Sequence, residues 1–242
     1  MIDYSNNNSN VETSGVKAQD AVSTFLANVF TYMGGALAIT GLLAYWFGNT
    51  PSFMTYLISP TGGATLLGYV VMFSPLAFVL VMSFAFNKLS SFALLGLFIL
   101  YAAVMGLSMS FIFLAYTASS IASTFFITAA TFGVMAVLGY TTKQDLTKFG
   151  SILFMALIGI IIASIVNMFL GNGMLDIIIS CVGVLVFTGL TAYDVQKLKR
   201  IGAGVEYGSE SSNKLAIMGA LNLYLDFVNL FMMLLRLFGD RR

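Results

Sequence analysis

The chain has 242 residues, of which 59% are hydrophobic and only 9% charged, and its formal net charge is +1, whereas an average soluble domain carries roughly a quarter charged residues. A soluble fold is excluded, because so much apolar surface exceeds what a core of this size can hide and lipid must be its solvent; the near-neutral balance offers no basic field for nucleic acid. With no His and a single Cys, His-based metal centres, Ser-His or Cys-His nucleophiles, an intrachain disulfide and a CxxC redox pair are excluded too.

Any site must therefore be built from carboxylates, amides, hydroxyls and backbone. Residues 1–22 are polar and rich in Asn and Ser, without the basic start and short apolar stretch of a secretory signal. A disordered tail is expected there, followed by one seven-helix transmembrane domain over 23–242. A bilayer core about 30 Å thick needs about 20 apolar residues in a helix. Seven runs are long enough, at roughly 24–47, 64–86, 91–116, 119–140, 151–171, 174–196 and 214–239. They are continuously apolar, not alternating, so an all-α membrane protein is expected and a β-barrel is not.

Orientation follows from Lys and Arg, which stay on the cytoplasmic side of short loops. Lys17 lies in the tail, Lys88 between spans two and three, Lys143 and Lys148 between four and five, and Lys197, Lys199, Arg200 and Lys214 around the sixth connection. This predicts a cytoplasmic amino terminus in a multi-pass cell-membrane protein. Seven spans then place Arg236, Arg241 and Arg242 on the far side, against the rule; a last segment that re-enters, leaving six spans, is the alternative. Ala102, Gly106 and Ser110 recur every fourth residue on the third span and read as a helix-packing face.

An ionisable group at the centre of a transmembrane helix costs at least about 2.5 to 3.5 kcal/mol, so it faces the bundle interior and finds a partner. Asp226 stands in the seventh span, twelve residues after Lys214, or roughly 18 Å along a helix. Asn222, Asp226 and Asn229 fall at i, i+4 and i+7, so this polar face is expected to look inward. Asp194 lies near the cytoplasmic end of the sixth span with Thr188 and Thr191, and Lys197 follows it; an interfacial Asp paired with Lys197 is the plainer reading. Asp176 reads as a solvated helix-start carboxylate.

Asp194 and Asp226 stand on consecutive helices and are expected to approach each other. Two carboxyls sharing a proton titrate as one unit. Protonated, they close through a hydrogen bond; ionised, they repel and offer oxygen ligands to a hard cation such as Ca²⁺. Thr191, Asn222 and Asn229 would support such a site, in which Asp194 and Asp226 are the candidate metal ligands.

The segments FTGLTAYDVQKLKR (187–200) and LNLYLDFVNLFMMLLRLFG (221–239) resemble the Bax-inhibitor family of seven-helix membrane proteins. That resemblance implies six helices around a central seventh, a bacterial cytoplasmic membrane, and a pH-sensitive calcium leak gated by Asp194 and Asp226. It also implies no permanently bound cofactor, with Ca²⁺ and protons as transient ligands. Bacterial calcium-leak members latch the pair with an Arg near the end of the second span; here the nearest cation is Lys88, which lacks the planar bidentate fork of Arg. Two other readings stand beside this one. A non-conducting protein that binds and regulates another membrane protein fits the same packing. An intramembrane aspartyl protease matches Tyr193-Asp194 superficially, but Asp226 follows Leu-Tyr-Leu where such proteases carry Gly-x-Gly.

Overall fold

A computed structural model describes residues 5–59, 63–206 and 208–241, with side chains from Asp20 onward. Of the expected tail at 1–22, residues 5–22, Lys17 among them, form the beginning of helix α1, while residues 1–4 and Arg242 lie outside what it describes.

The described chain is helical almost throughout: α1 (Ser5–Gly48), α2 (Pro51–Leu57), α3 (Leu66–Ala85), α4 (Ser91–Met109), α5 (Ile112–Ala115), α6 (Ala118–Thr141), α7 (Thr147–Leu170), α8 (Gly173–Gly204) and α9 (Glu210–Phe238). Seven stretches are long and apolar enough to cross a membrane: Asp20–Gly48 of α1, Ser91–Ala115 running through α4 and α5, and α3, α6, α7, α8 and α9. Their starts are written in the sequence. The hydroxyls of Thr65, Ser90, Thr117 and Ser209 accept from backbone N–H groups in the first turns of α3, α4, α6 and α9, which is the usual chemistry of helix N-caps. Gly171, with φ of 61°, ends α7 in the left-handed conformation that glycine adopts most readily.

Helix α9 is the most enclosed, with 72% of its apolar window buried against 17–39% for the other six spans. It packs on α1, α4, α6 and α8, while the principal partner of α3 is α4 and that of α7 is α8. Four helices, not six, thus make its main contacts.

Helix α9 also runs from one end of the bundle to the other, as seven spans require and a re-entrant last segment does not. At its start, Glu210 accepts hydrogen bonds from the Ser91 N–H (2.5 Å) and hydroxyl (2.8 Å) at the beginning of α4. At its end, the Thr117 N–H donates to the Asp240 carbonyl and the Asp240 N–H donates to Ser120 Oγ (2.9 Å), beside the start of α6. Arg236 meets Asp176, in the first turn of α8, at 3.4 Å with both side chains about one-third exposed. Asp176 is therefore a partner of Arg236 and not merely solvated, and Arg236 reaches the far side with its charge matched.

The small-residue face behaves as packing. Ala102, Gly106 and Ser110 are buried, and a Cβ on Gly106 would stand 2.8 Å from the Thr40 carbonyl of α1. Thr40, 4% exposed, donates to the Ala102 carbonyl (2.8 Å) and pairs with the Tyr224 hydroxyl (2.7 Å). Since the single Thr40 proton goes to the carbonyl, Tyr224 is the donor to Thr40, and one hydroxyl links α1, α4 and α9.

Candidate functional site

Asp194 belongs to α8 and Asp226 to α9, the most extensively packed helix pair in the molecule. The approach is set by small residues on both helices. Gly219 of α9 lies against Leu198, and Gly183 of α8 against Met233, so close that a Cβ at Gly183 would come within 2.9 Å of the Met233 side chain. Between these two crossings the carboxyls are 7% and 6% exposed and stand within side-chain hydrogen-bonding reach of each other. Oδ2 of Asp226 is buried with no hydrogen-bond partner among the described residues. An unpartnered oxygen in an apolar surround is costly, and the site therefore favours a proton or cation that satisfies it.

The cation whose field reaches Asp194 is Lys197, an exposed side chain one turn along α8. Lys88 is exposed at the turn between α3 and α4, and among the described residues no ion pair joins it to either Asp. Thr191 is buried but its hydroxyl donates back to the Phe187 carbonyl (2.8 Å), leaving its lone pairs as acceptors. Thr188 is half-buried with an unpartnered hydroxyl.

The expected inward face of α9 divides. Asp226 is buried, whereas Asn229 is half-buried and Asn222 exposed. They lie on a stripe of partial exposure formed by Met218, Asn222, Leu225, Asn229 and Met232, spaced three and four residues apart. The error was geometric: with apolar residues all round α9, the polar side chains alone suggested the direction of the interior. Asp226 sits at the border of this stripe, with Asn222 one turn before it and Asn229 one turn after.

Just beyond Asp194, α8 is clamped to the connection between α6 and α7. Gln196 donates to the Gln144 carbonyl (2.7 Å) and accepts from the Leu146 N–H (2.9 Å) and from Arg200. Arg200 also donates to Asp145 (2.5 Å) and to the Thr147 hydroxyl (2.9 Å). Lys199 donates to the Tyr140 carbonyl (2.8 Å) and lies over the Tyr140 ring at 4.7 Å. Hydrogen bonds from the Thr147 hydroxyl and N–H, and then from Arg200, hold the exposed Asp145 carboxyl well below the usual carboxylate range. The bonds that join α8 to α6, α7 and their connection were not evident from sequence, because they link residues about fifty positions apart.

Among the described residues no three His, Cys, Asp or Glu side chains converge on a metal-sized site. The pair supplies two acidic groups, fewer ligands than the six to eight oxygens of a resident Ca²⁺ cage. Such an arrangement can share a proton and attract a passing cation.

Comparison with known proteins gives a consistent result. The family described as inhibitor of apoptosis-promoting Bax1 matches residues 22–242. An Escherichia coli protein called inner membrane protein YbhL is 46% identical over 228 residues, covering 94% of this chain and 96% of its own. An uncharacterised protein of Borreliella burgdorferi is 44% identical over 90% of this chain and 92% of its own, and one of Rickettsia prowazekii 40% identical over the full length of both.

Proposed function

The chain belongs to the Bax inhibitor family of membrane-spanning proteins, and from that premise we propose that it is a pH-sensitive Ca²⁺ leak pathway of a bacterial inner membrane, gated by Asp194 and Asp226. Its seven apolar helices and the inner-membrane relative fit a multi-pass place in a bacterial cell membrane. The observation that carries the proposal is the meeting of two buried carboxyls from different helices, one with an oxygen left unpartnered.

With a proton between them the carboxyls hydrogen-bond and hold α8 to α9. When both are ionised they repel across a region of low dielectric, where Coulomb forces are many times stronger than in water. The two helices then part, and the freed oxygens draw a divalent cation. Asn222, Asn229 and the Thr191 lone pairs supply further oxygens along its route. Lys197, in place of Lys88, provides the neighbouring positive charge at the basic end, which the distribution of Lys and Arg puts in the cytoplasm.

Ca²⁺ entry into dye-loaded vesicles containing only the purified chain, between about pH 5 and pH 8, tests the reading, because exposed carboxylates are already ionised across that range. Flux should rise with pH in the parent. Asp226→Asn and Asp194→Asn each remove the shared proton and should flatten the response. A parent indistinguishable from empty vesicles would overturn conduction and favour a partner-binding role; unchanged pH dependence in both variants would overturn the gate.

A further inference from the structure

A second feature lies in the opposite half of the bundle from the basic end. There α1 and α6 flank a cavity of about 800 Å³ whose walls include Gly34 and Gly41 of α1 and Ala122 and Phe125 of α6, and whose floor is Phe227 and Phe231 of α9. That volume lies within the ~300 to 1,000 Å³ of small-molecule sites. No charged side chain lines it, and the Thr40 hydroxyl at its wall is already committed to the Ala102 carbonyl and Tyr224.

Water finds no partners in such a space, and apolar cavities stay free of it. Nor is there a group that could recognise an ion or a polar headgroup inside. The rims, however, continue into the lipid-facing surface: Leu42 and Tyr45 on α1 and Phe126 on α6 are 71%, 61% and 71% exposed. Tyr45 is followed by Trp46, also 71% exposed, an aromatic pair of the kind that sits at headgroup level. The crevice thus runs from the far interface into the hydrocarbon, apolar throughout and continuous with the bilayer.

We propose that this crevice is a lipid site that takes one acyl chain of a phospholipid from the leaflet opposite the basic end. The chain lies between α1 and α6 and rests on the face of α9 that begins at Phe227, the residue after Asp226. It supplies the apolar contacts that α1 and α6 do not make with each other there.

The glycines make the proposal testable, since a Cβ at Gly41 would meet nothing within 4 Å, and the same holds at Gly159 on the exposed face of α7. Gly41→Leu directs a bulky side chain into the crevice from a Cβ position that is open; Gly159→Leu adds the same side chain elsewhere on the lipid-facing surface. Two readouts apply to the full chain in detergent: phospholipid retained through purification, counted by native mass spectrometry, and quenching of Trp46, the one tryptophan, by phospholipid with brominated acyl chains. The parent and Gly159→Leu should retain a phospholipid and show saturable quenching, and Gly41→Leu should lose both. Ala122→Leu, on the opposite wall, repeats the test should Gly41→Leu fail to fold. Equal retention and quenching in all variants, or neither in the parent, would overturn the proposal, and retention of a free isoprenoid instead of a phospholipid would overturn the acyl-chain assignment. None of these readouts depends on Ca²⁺ flux, so this site and the carboxyl gate stand or fall separately.

Discussion

Gly139 of α6 provides a sharp test of how α8 is positioned beside the gate. An added methyl there would stand 2.9 Å from the Cα and carbonyl carbon of Ala192 and closer still to its carbonyl oxygen, against the roughly 3.5 to 4.0 Å of ordinary carbon contacts. The obstacle is backbone and cannot rotate aside. In Gly139→Ala the two helices must part by roughly 0.5 to 1 Å, at a cost of about 1 to 3 kcal/mol for overpacking. Gly133, on the same helix, has nothing within 4 Å of the equivalent methyl, so Gly133→Ala should gain about 0.4 to 1 kcal/mol by restricting the unfolded chain. The variants should therefore differ by roughly 1.4 to 4 kcal/mol with opposite signs, measurable by unfolding with dodecyl sulfate in mixed micelles. Because Ala192 is two residues before Asp194, Gly139→Ala should also raise Ca²⁺ flux at acidic pH. A Gly139→Ala protein as stable as Gly133→Ala would refute the close contact between α6 and α8.

Three further outcomes are expected. The Asp145 carboxyl is held below its unfolded value, so its stabilisation is complete above that value, near about pH 3.9, and is lost only as pH falls through the lower folded one. Asp145→Asn should therefore lower stability at neutral pH and leave the pH profile of flux between about pH 5 and pH 8 unchanged; a shifted profile would implicate Asp145 in the gate. Thr40→Val leaves the Tyr224 hydroxyl buried without an acceptor, at about 1 to 3 kcal/mol, whereas Tyr224→Phe spares the bond to Ala102 and should cost about 1 kcal/mol or less; equal losses on unfolding would contradict the donor order drawn above. In a Cys181→Ser background, Asn222→Cys should react with a water-soluble maleimide and Leu223→Cys, at a fully buried position, should not, and the reverse pattern would show that the polar face looks inward.

Hydropathy located the seven spans because the membrane imposes their length, and agreement is closest at 91–116 against Ser91–Ala115 and at 119–140 against Ala118–Thr141. It fell short where a helix outlasts the bilayer. The sixth span was expected to stop at 196, yet α8 continues to Gly204 because Gln196, Lys199 and Arg200 find partners on the connection between α6 and α7. The single apolar run at 91–116 breaks near Ser110 into α4 and α5, a change of backbone that apolar content does not register. The meeting of Asp194 and Asp226 was legible because each is expensive alone. Neither the Arg236–Asp176 pair nor the exposed side of Asn222 was, since both depend on which helices become neighbours.

The most enclosed helix of the bundle is synthesised after all the helices that surround it. While the ribosome is still producing residues beyond 210, the faces of α1, α4, α6 and α8 that pack on α9 have nothing to close upon, and Asp194 lacks the neighbour that shares its site. A chain cut short before α9 would be inserted but hollow, with Asp194 and Thr40 left without their α9 partners in its opened interior, and so a ready substrate for membrane quality-control proteases. Maturation must therefore wait for α9, and a nonsense mutation anywhere before that helix should remove the protein from the membrane and not merely silence it.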